Sequence, residues 1–369
     1  MRLALDATAL LGPRTGVGTM TAEIAERLAA RPDVDLRLFA VSWRGRDDLA
    51  AVAPTGATVV RRPLAARPLR AAWLRSEQPP IEWLVGAADV VHGPNFVVPP
   101  ARRAARVVTV HDLTVVRFPE LCTADTLQYP PLLRRAVAHG AWVHTVSEHV
   151  AEEVRDWLDV PAERVVAIPN GVTPVVGGDP VEGRRLAGHE RYVLALGTIE
   201  PRKDFPTLVE AFDELAGEDA GLGLVIAGPD GWGTADLADA LRHAHHADRI
   251  TRLGFVEPPV RASLLRGAAA FAYPSVYEGF GLPPLEAMSA GVPVVATAAG
   301  AVPEVVGDAA RIVPVGDPGA LAGALAEVLD DQAAATRLVA AGRARVARFS
   351  WDATAEGLVD LYRRASATR

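Results

Sequence analysis

Two segments roughly 190 residues apart share one layout, and this repetition limits the folds open to the chain more than any other feature. The first is RLALDATALLGPRTGVGTMTAEIAERLAA from Arg2, and the second is RYVLALGTIEPRKDFPTLVEAFDELA from Arg191. Each reads as a short apolar strand, a Gly-bearing loop and a helix. In the second, Leu208, Ala211, Phe212 and Leu215 recur at i, i+3, i+4 and i+7, one face of a helix. Strands and helices keep alternating after each start. VDLRLFAV, ATVVRR, ADVVHG, ARVVTVHD, WVHTVS and RVVAIPNG follow in the first half; LGLVIAG, ITRLGF, AAFAYPS, PVVAT and ARIVPV follow YVLALG in the second. Such alternation predicts parallel sheets covered by helices on both faces, one sheet per half. The Pro- and Gly-rich stretch from Pro169 to about Gly188 reads as the linker.

With 369 residues the chain is long enough for two domains, each with its own core. Residues 1–180 balance 20 Arg against 20 Asp and Glu, so the net charge of −7 resides in the second half, which argues against a nucleic-acid partner. No apolar run approaches the ~18 residues of a membrane span. Asp6 interrupts the apolar start, against a signal peptide, and the expectation is a soluble, cytosolic protein. The single cysteine, Cys122, excludes an internal disulfide and a Cys-rich metal site. Of 38 basic residues 37 are Arg, and Lys203 is the only Lys. A compact ammonium and a planar guanidinium are not equivalent, so a lone Lys marks either a place where Arg will not serve or chance.

In open parallel sheets, ligands lie beyond the carboxyl ends of the strands, so two such domains facing each other would form one cleft. The most informative post-strand loop is Tyr273-Pro-Ser-Val-Tyr-Glu278-Gly-Phe-Gly-Leu-Pro-Pro-Leu-Glu286-Ala-Met288. A Gly-rich loop opening a helix offers N–H groups and a positive dipole end to an anion. Glu278 and Glu286 would repel a bare phosphate but would accept hydrogen bonds from a ligand that also carries hydroxyls. The plainer alternative makes Glu286 a first-turn Glu favoured by the dipole, and leaves Glu278 without a role. Arg202 and Lys203 follow the strand YVLALG and would reach a diphosphate at the same edge; otherwise they are a solvated pair.

In the first half, Gly16-Val-Gly18 precedes a helix expected over Thr21–Ala30, and its G-x-G-x-x-T pattern is a poor dinucleotide fingerprint, which disfavours a dehydrogenase. It reads as a flexible rim. His111-Asp112 and His92-Gly-Pro-Asn95 close neighbouring strands and are candidate site groups. His243, His245 and His246 read as exposed, without a carboxylate partner in helical register, and no metal is expected. Asp33-Val-Asp35 precedes a strand, at the wrong end of a sheet for a metal–diphosphate motif. No Gly-x-Ser-x-Gly and no Walker loop occurs.

The run from Glu278 to Glu286 resembles the E-x7-E signature of family 4 retaining glycosyltransferases, and the resemblance covers essentially the whole chain. Gly16-Val-Gly18, His92-Gly-Pro-Asn95, Val110-His-Asp112, Val146-Ser-Glu148, Pro169-Asn-Gly-Val172, Gly197-Thr-Ile-Glu-Pro-Arg-Lys203, Ala227-Gly-Pro229 and Pro303-Glu-Val-Val-Gly307 resemble that family's landmarks in order. The resemblance implies the GT-B fold, two Rossmann-like, doubly wound α/β domains facing a central cleft: residues 1–173 with a last helix at 350–369 on the acceptor side, and 174–349 for the donor. It implies that Glu286 holds the ribose hydroxyls, and that Glu278 with the Phe280, Gly281 and Leu282 amides holds the donor sugar. Lys203 with Arg202 would neutralise the diphosphate, Gly16 would approach the phosphates and His111 would sit over the sugar. Thr198 departs from the pattern, since many members carry Arg there. The Gly-Thr-Ile-Glu-Pro-Arg-Lys form is similar to bacterial mannosyltransferases that use GDP-mannose. The implied reaction moves a hexosyl group to a hydroxyl acceptor with no cofactor and no metal. A nucleotide-sugar epimerase of the same fold and a non-catalytic nucleotide-sugar binder are the alternatives.

One further segment bears on partners. RRPLAARPLRAAWLR, from Arg61 to Arg75, mixes Arg67, Arg70 and Arg75 with Leu64, Leu69, Trp73 and Leu74. It suits peripheral contact with an anionic membrane, or else it is a helix whose apolar residues pack inward.

Overall fold

The structure, a computed structural model, describes residues 1–12, 15–43, 48–62 and 64–368. It divides into two units, Met1–Gly171 with Ser350–Arg369, and Val172–Phe349. The runs read as strands are strands. In the first unit they are Arg2–Asp6 (β1), Asp35–Phe39 (β2), Thr58–Val59 (β3), Val90–Gly93 (β4), Ala105–Val110 (β5), Trp142–Thr145 (β6) and Val165–Ala167 (β7). They form a parallel sheet in the order β3-β2-β1-β4-β5-β6-β7. In the second unit they are Arg191–Leu196 (β8), Leu222–Ala227 (β9), Ile250–Gly254 (β10), Ala270–Tyr273 (β11), Val294–Thr297 (β12) and Ala310–Val313 (β13). These are also parallel, in the order β10-β9-β8-β11-β12-β13. All residues of β5 and β9 are buried, as both faces of a parallel sheet demand, which is why these strands read as continuous apolar runs.

The helix over Phe205–Glu218 buries Leu208, Ala211, Phe212 and Leu215, the face its spacing marks. Two expectations need correction. The stretch from Pro169 to Gly188 is not wholly linker, because Pro180–Ala187 is a helix capped by Asp179, which accepts from the Val181 N–H at 2.9 Å. Gly183, within this stretch, is a packing requirement: a Cβ there would lie 2.0 Å from the carbonyl oxygen of Ser263. Gly16-Val-Gly18 is not a loop before the helix but its first turn, in a helix running from Gly16 to Ala29.

In the first unit the helix Trp351–Ala367 is bound to the sheet by a hydrogen-bond chain that fixes its own proton directions. The Tyr362 hydroxyl and His92 Nδ1 are 2.7 Å apart, His92 Nε2 and Thr109 Oγ1 2.8 Å, Thr109 Oγ1 and His144 Nδ1 2.9 Å, and His144 Nε2 and the Ile168 carbonyl 3.0 Å. The carbonyl only accepts, so His144 donates from Nε2 and accepts at Nδ1. Thr109 then donates to His144 and accepts from His92 Nε2–H, and Tyr362 donates to His92 Nδ1. Both rings are neutral in this arrangement. Burial drives the pKa of His92 well down and that of His144 to about 4.

Candidate active site

The strand order of the second sheet reverses between β8 and β11, and the loops that follow these two strands carry the charged residues. After β8, a short turn over Pro201–Lys203 presents Arg202 and Lys203. After β11, residues 274–281 lead into the helix Leu282–Ala290, with Gly281 at φ +106° just before it. The structure brings Arg202, Lys203 and Glu278 together. Lys203 Nζ donates to Glu278 Oε1 at 2.6 Å and to the Tyr273 hydroxyl at 3.0 Å, and lies 4.8 Å from the centroid of that ring. Ser275 Oγ donates to Glu278 Oε1 at 2.7 Å, and Arg202 Nη1 reaches Oε2 at 2.5 Å. Arg202 also donates to the Tyr277 carbonyl at 2.9 Å and to Glu200 Oε1 at 2.6 Å.

Lys203 and Glu278 are only 8% and 7% exposed, so the solvated-pair alternative for the loop is set aside. Burial alone would raise the pKa of Glu278. Arg202 and then Lys203, with the Ser275 hydrogen bond, outweigh it and hold the carboxyl at about 2. Burial lowers the pKa of Lys203 while the Glu278 charge opposes that shift. Burial, and next the charge of Glu278, push the Tyr273 phenol well up, so it stays a neutral donor and acceptor.

Glu286 is not in the first turn of its helix. Leu282, Pro283, Pro284 and Leu285 precede it, and its carboxylate pairs with Arg261 of the helix Pro258–Gly267. The dipole explanation for Glu286 therefore fails. Pro283 and Pro284 also remove two N–H donors from the helix start, so an anion there would depend on the Leu282 amide and those of Phe280 and Gly281. The Phe280 ring is buried edge-on against Phe349, at 5.6 Å between centroids.

Gly16 and His111 belong to the first unit. Gly16 starts its helix and is exposed. His111 follows β5, and its Nε2–H donates to the Pro94 carbonyl at 2.7 Å; burial lowers its pKa, so the ring is neutral with Nδ1 as the acceptor nitrogen. His92, the other strand-end histidine, is wholly buried in the chain to Tyr362 and is structural. His243 has a carboxylate in helical register after all, Asp239 at 3.8 Å, and Asp213 accepts from the His245 and His246 amides; His246 is half-buried rather than exposed. Among the described residues, no three His, Cys, Asp or Glu side chains gather in a metal-binding arrangement. Between Arg61 and Arg75, Leu64 and Trp73 are core residues and Leu69 and Leu74 pack against that core, as the inward-packing alternative requires.

Glu200, Arg261, Tyr273 and Ser275 complete the pairs and were not singled out in the sequence. Glu200, Tyr273 and Ser275 stand inside the quoted motifs. Arg261, 25 residues before Glu286, left no local signal.

Residues 182–345 match the model of the family described as Glycosyl transferases group 1, and residues 14–175 that of Glycosyltransferase Family 4. The O-antigen chain mannosyltransferase B of Escherichia coli is 30% identical over 379 aligned positions, covering 95% of this chain and 96% of that protein. The fold is shared with the sucrose-phosphate synthase of Thermosynechococcus elongatus (TM-score 0.78, 21% identity, all of both chains). It is also shared with HepE of Anabaena in complex with UDP and glucose (TM-score 0.73, 17% identity, 98% of each chain). Two parallel α/β sheets with these neighbours give the GT-B fold, and the matched family models make the chain a glycosyltransferase. Within that class, the chain belongs to glycosyltransferase family 4.

Proposed function

We propose that the chain transfers a hexosyl group with retention at the anomeric carbon, and that the group is mannosyl with GDP-mannose as donor. The acceptor is a hydroxyl of a glycan, a lipid-linked saccharide or a small molecule. The observation that carries this reading is the nearly buried Lys203 ammonium, 2.6 Å from Glu278 at the reversal point of the second sheet. A diphosphate entering there offers Lys203 a second anionic partner, and a sugar offers Glu278 hydroxyl donors. In this reading Glu286, paired with Arg261, accepts from the ribose hydroxyls. The Phe280, Gly281 and Leu282 amides serve the sugar, Gly16 the phosphates from the first unit, and the neutral His111 the sugar face. The leaving-group phosphate takes the proton of the incoming hydroxyl on the face it departs from, while Lys203 stabilises its developing charge. In this reading the chain works without a metal or other cofactor, a cation loop standing in for a metal. The mannosyl assignment is supported by the Escherichia coli relative's name, and since the Anabaena structure holds UDP, the donor test below sets GDP against UDP sugars. The protein is proposed to be cytoplasmic, with peripheral contact to an anionic membrane through the exposed arginines of the Arg61–Arg75 segment.

A thermal-shift panel of GDP, UDP, ADP and dTDP sugars beside NAD tests the reading. At a hundred times Kd the true donor adds about 2.7 kcal/mol to stability. Transfer must then persist in EDTA. Conversion of donor without any acceptor would make the chain an epimerase, and binding without turnover would make it a sensor. Activity that EDTA abolishes and magnesium or manganese restores would remove the metal-free part.

A further inference from the structure

The turn Glu200-Pro201-Arg202-Lys203 carries one charge more than the proposed reaction uses. Glu200 is not a surface carboxylate: its side chain is 13% exposed and accepts from Arg202 Nη2 at 2.6 Å. The same guanidinium reaches Glu278 Oε2 through Nη1 at 2.5 Å and donates to the Tyr277 carbonyl at 2.9 Å. The backbone carbonyl of Arg202 accepts from the Val276 N–H at 2.9 Å. Arg202 is thus tied to the loop after β11 by both ends of the residue, with a carboxylate on each terminal nitrogen. Lys203, in contrast, holds Glu278 by a single ammonium contact to the other oxygen.

We infer that Glu200 is a positioning residue that fixes Arg202 as a strut for Glu278, leaving Lys203 as the cation that exchanges Glu278 for the diphosphate. The inference rests on the proposed transferase reading and adds a division of labour within its basic pair. With Glu200, the four charges of Glu200, Arg202, Lys203 and Glu278 sum to zero. Without it the cluster is cationic, and Arg202 can turn both nitrogens to Glu278. A diphosphate is then bound more tightly while Glu278 is released to the sugar less readily. Ground-state binding and turnover move in opposite directions, which loss of mere structural support would not produce.

The test uses the full chain with E200Q, and with E200D as the conservative variant. Calorimetry with the nucleoside diphosphate that the wild type binds best should give E200Q a Kd about threefold to tenfold lower. Its kcat should fall about tenfold or more with KM for donor unchanged or lower, and E200D should recover part of kcat. A second readout needs no donor. Nitrogen-15 spectra of the Arg202 guanidinium, assigned against R202K, should show slowly rotating, resolved Nη signals in the wild type, and in E200Q resolved signals at changed shifts as the second nitrogen leaves residue 200 for Glu278. Wild-type kinetics and affinity in E200Q would overturn the inference, and so would weakened Kd and kcat together with a lower melting temperature. Averaged Arg202 signals in the wild type would also overturn it. A wild type with resolved Arg202 signals that binds no sugar nucleotide would instead overturn the transferase reading, while supporting Glu200's hold on Arg202.

Discussion

Lys203 holds its nearly buried ammonium between a carboxylate and a phenol, 3.0 Å from the Tyr273 hydroxyl, contacts that a compact point charge makes and a planar guanidinium does not reproduce. Lys203→Ala should therefore retain its fold and lose about 10²–10³ in transfer rate, the usual loss when one charge-stabilising contact is removed. Lys203→Arg should not rescue it; near-normal turnover in either variant would return Lys203 to a structural role. The two glutamates separate by affinity. Glu286→Gln should weaken binding of the free nucleoside diphosphate as well as the whole donor, whereas Glu278→Gln should not weaken binding of the nucleoside diphosphate. The reverse pattern in calorimetry contradicts the assignment. Glu278→Gln should also lower stability by about 3–5 kcal/mol, since two buried cations lose their counter-charge. The carboxyl at about 2 in the folded chain makes its stabilisation complete above about pH 4.5 and progressively lost as pH falls towards 2. Rarity made Lys203 legible and spacing made Glu278 and Glu286 legible. Arg261 was not, because a side-chain pair closed by tertiary packing leaves no periodic trace; Glu200 and Arg202 pair two residues apart, a spacing that marks no pair in a sequence.

The helix Trp351–Ala367 and the strands β4, β5 and β6 are joined by neutral histidines, and this joint should be acid-sensitive. Above pH 6.5 both folded and unfolded states carry neutral rings, so His144 has no pH-dependent effect. Below it the unfolded chain takes protons first, and stability falls until the folded ring titrates at about 4. Urea melts between pH 7 and 4 should show a loss of roughly 3 kcal/mol from His144 alone, with His92 adding to it. Tyr362→Phe should cost about 1–3 kcal/mol at pH 7 by leaving His92 Nδ1 without its donor, and a neutral outcome would remove the chain's structural role. At this level the strands were readable because two covered faces force continuous apolar runs. The helix Pro180–Ala187 was not. Its Gly and Pro looked like linker punctuation, whereas Gly183 meets Ser263 across a close helix contact and Pro180 opens the helix at its first turn.

Both sheets, their parallel sense and the two-unit division followed from the alternation along the chain; what the alternation left open was where the apolar residues of single helices point. The Arg61–Arg75 segment is the instance with a consequence for partners. Leu64 and Trp73 are spent in the core and Leu69 and Leu74 pack against it, so among the described residues of this segment the exposed charges are Arg61, Arg62, Arg67 and Arg75, which suit an electrostatic contact. Flotation with anionic liposomes should recover the protein at low salt and release it at high salt, and Arg67→Glu with Arg75→Glu should abolish it. No flotation at low salt points to a soluble acceptor. Among the described residues no helix is long and apolar enough to cross a membrane. The most direct measurement of the central claim is the anomeric configuration of the first product, followed by proton NMR during turnover of GDP-mannose with a saccharide acceptor. The account predicts an α-linked mannosyl product from the α-configured donor, formed from the first turnover. A β-linked first product would contradict it.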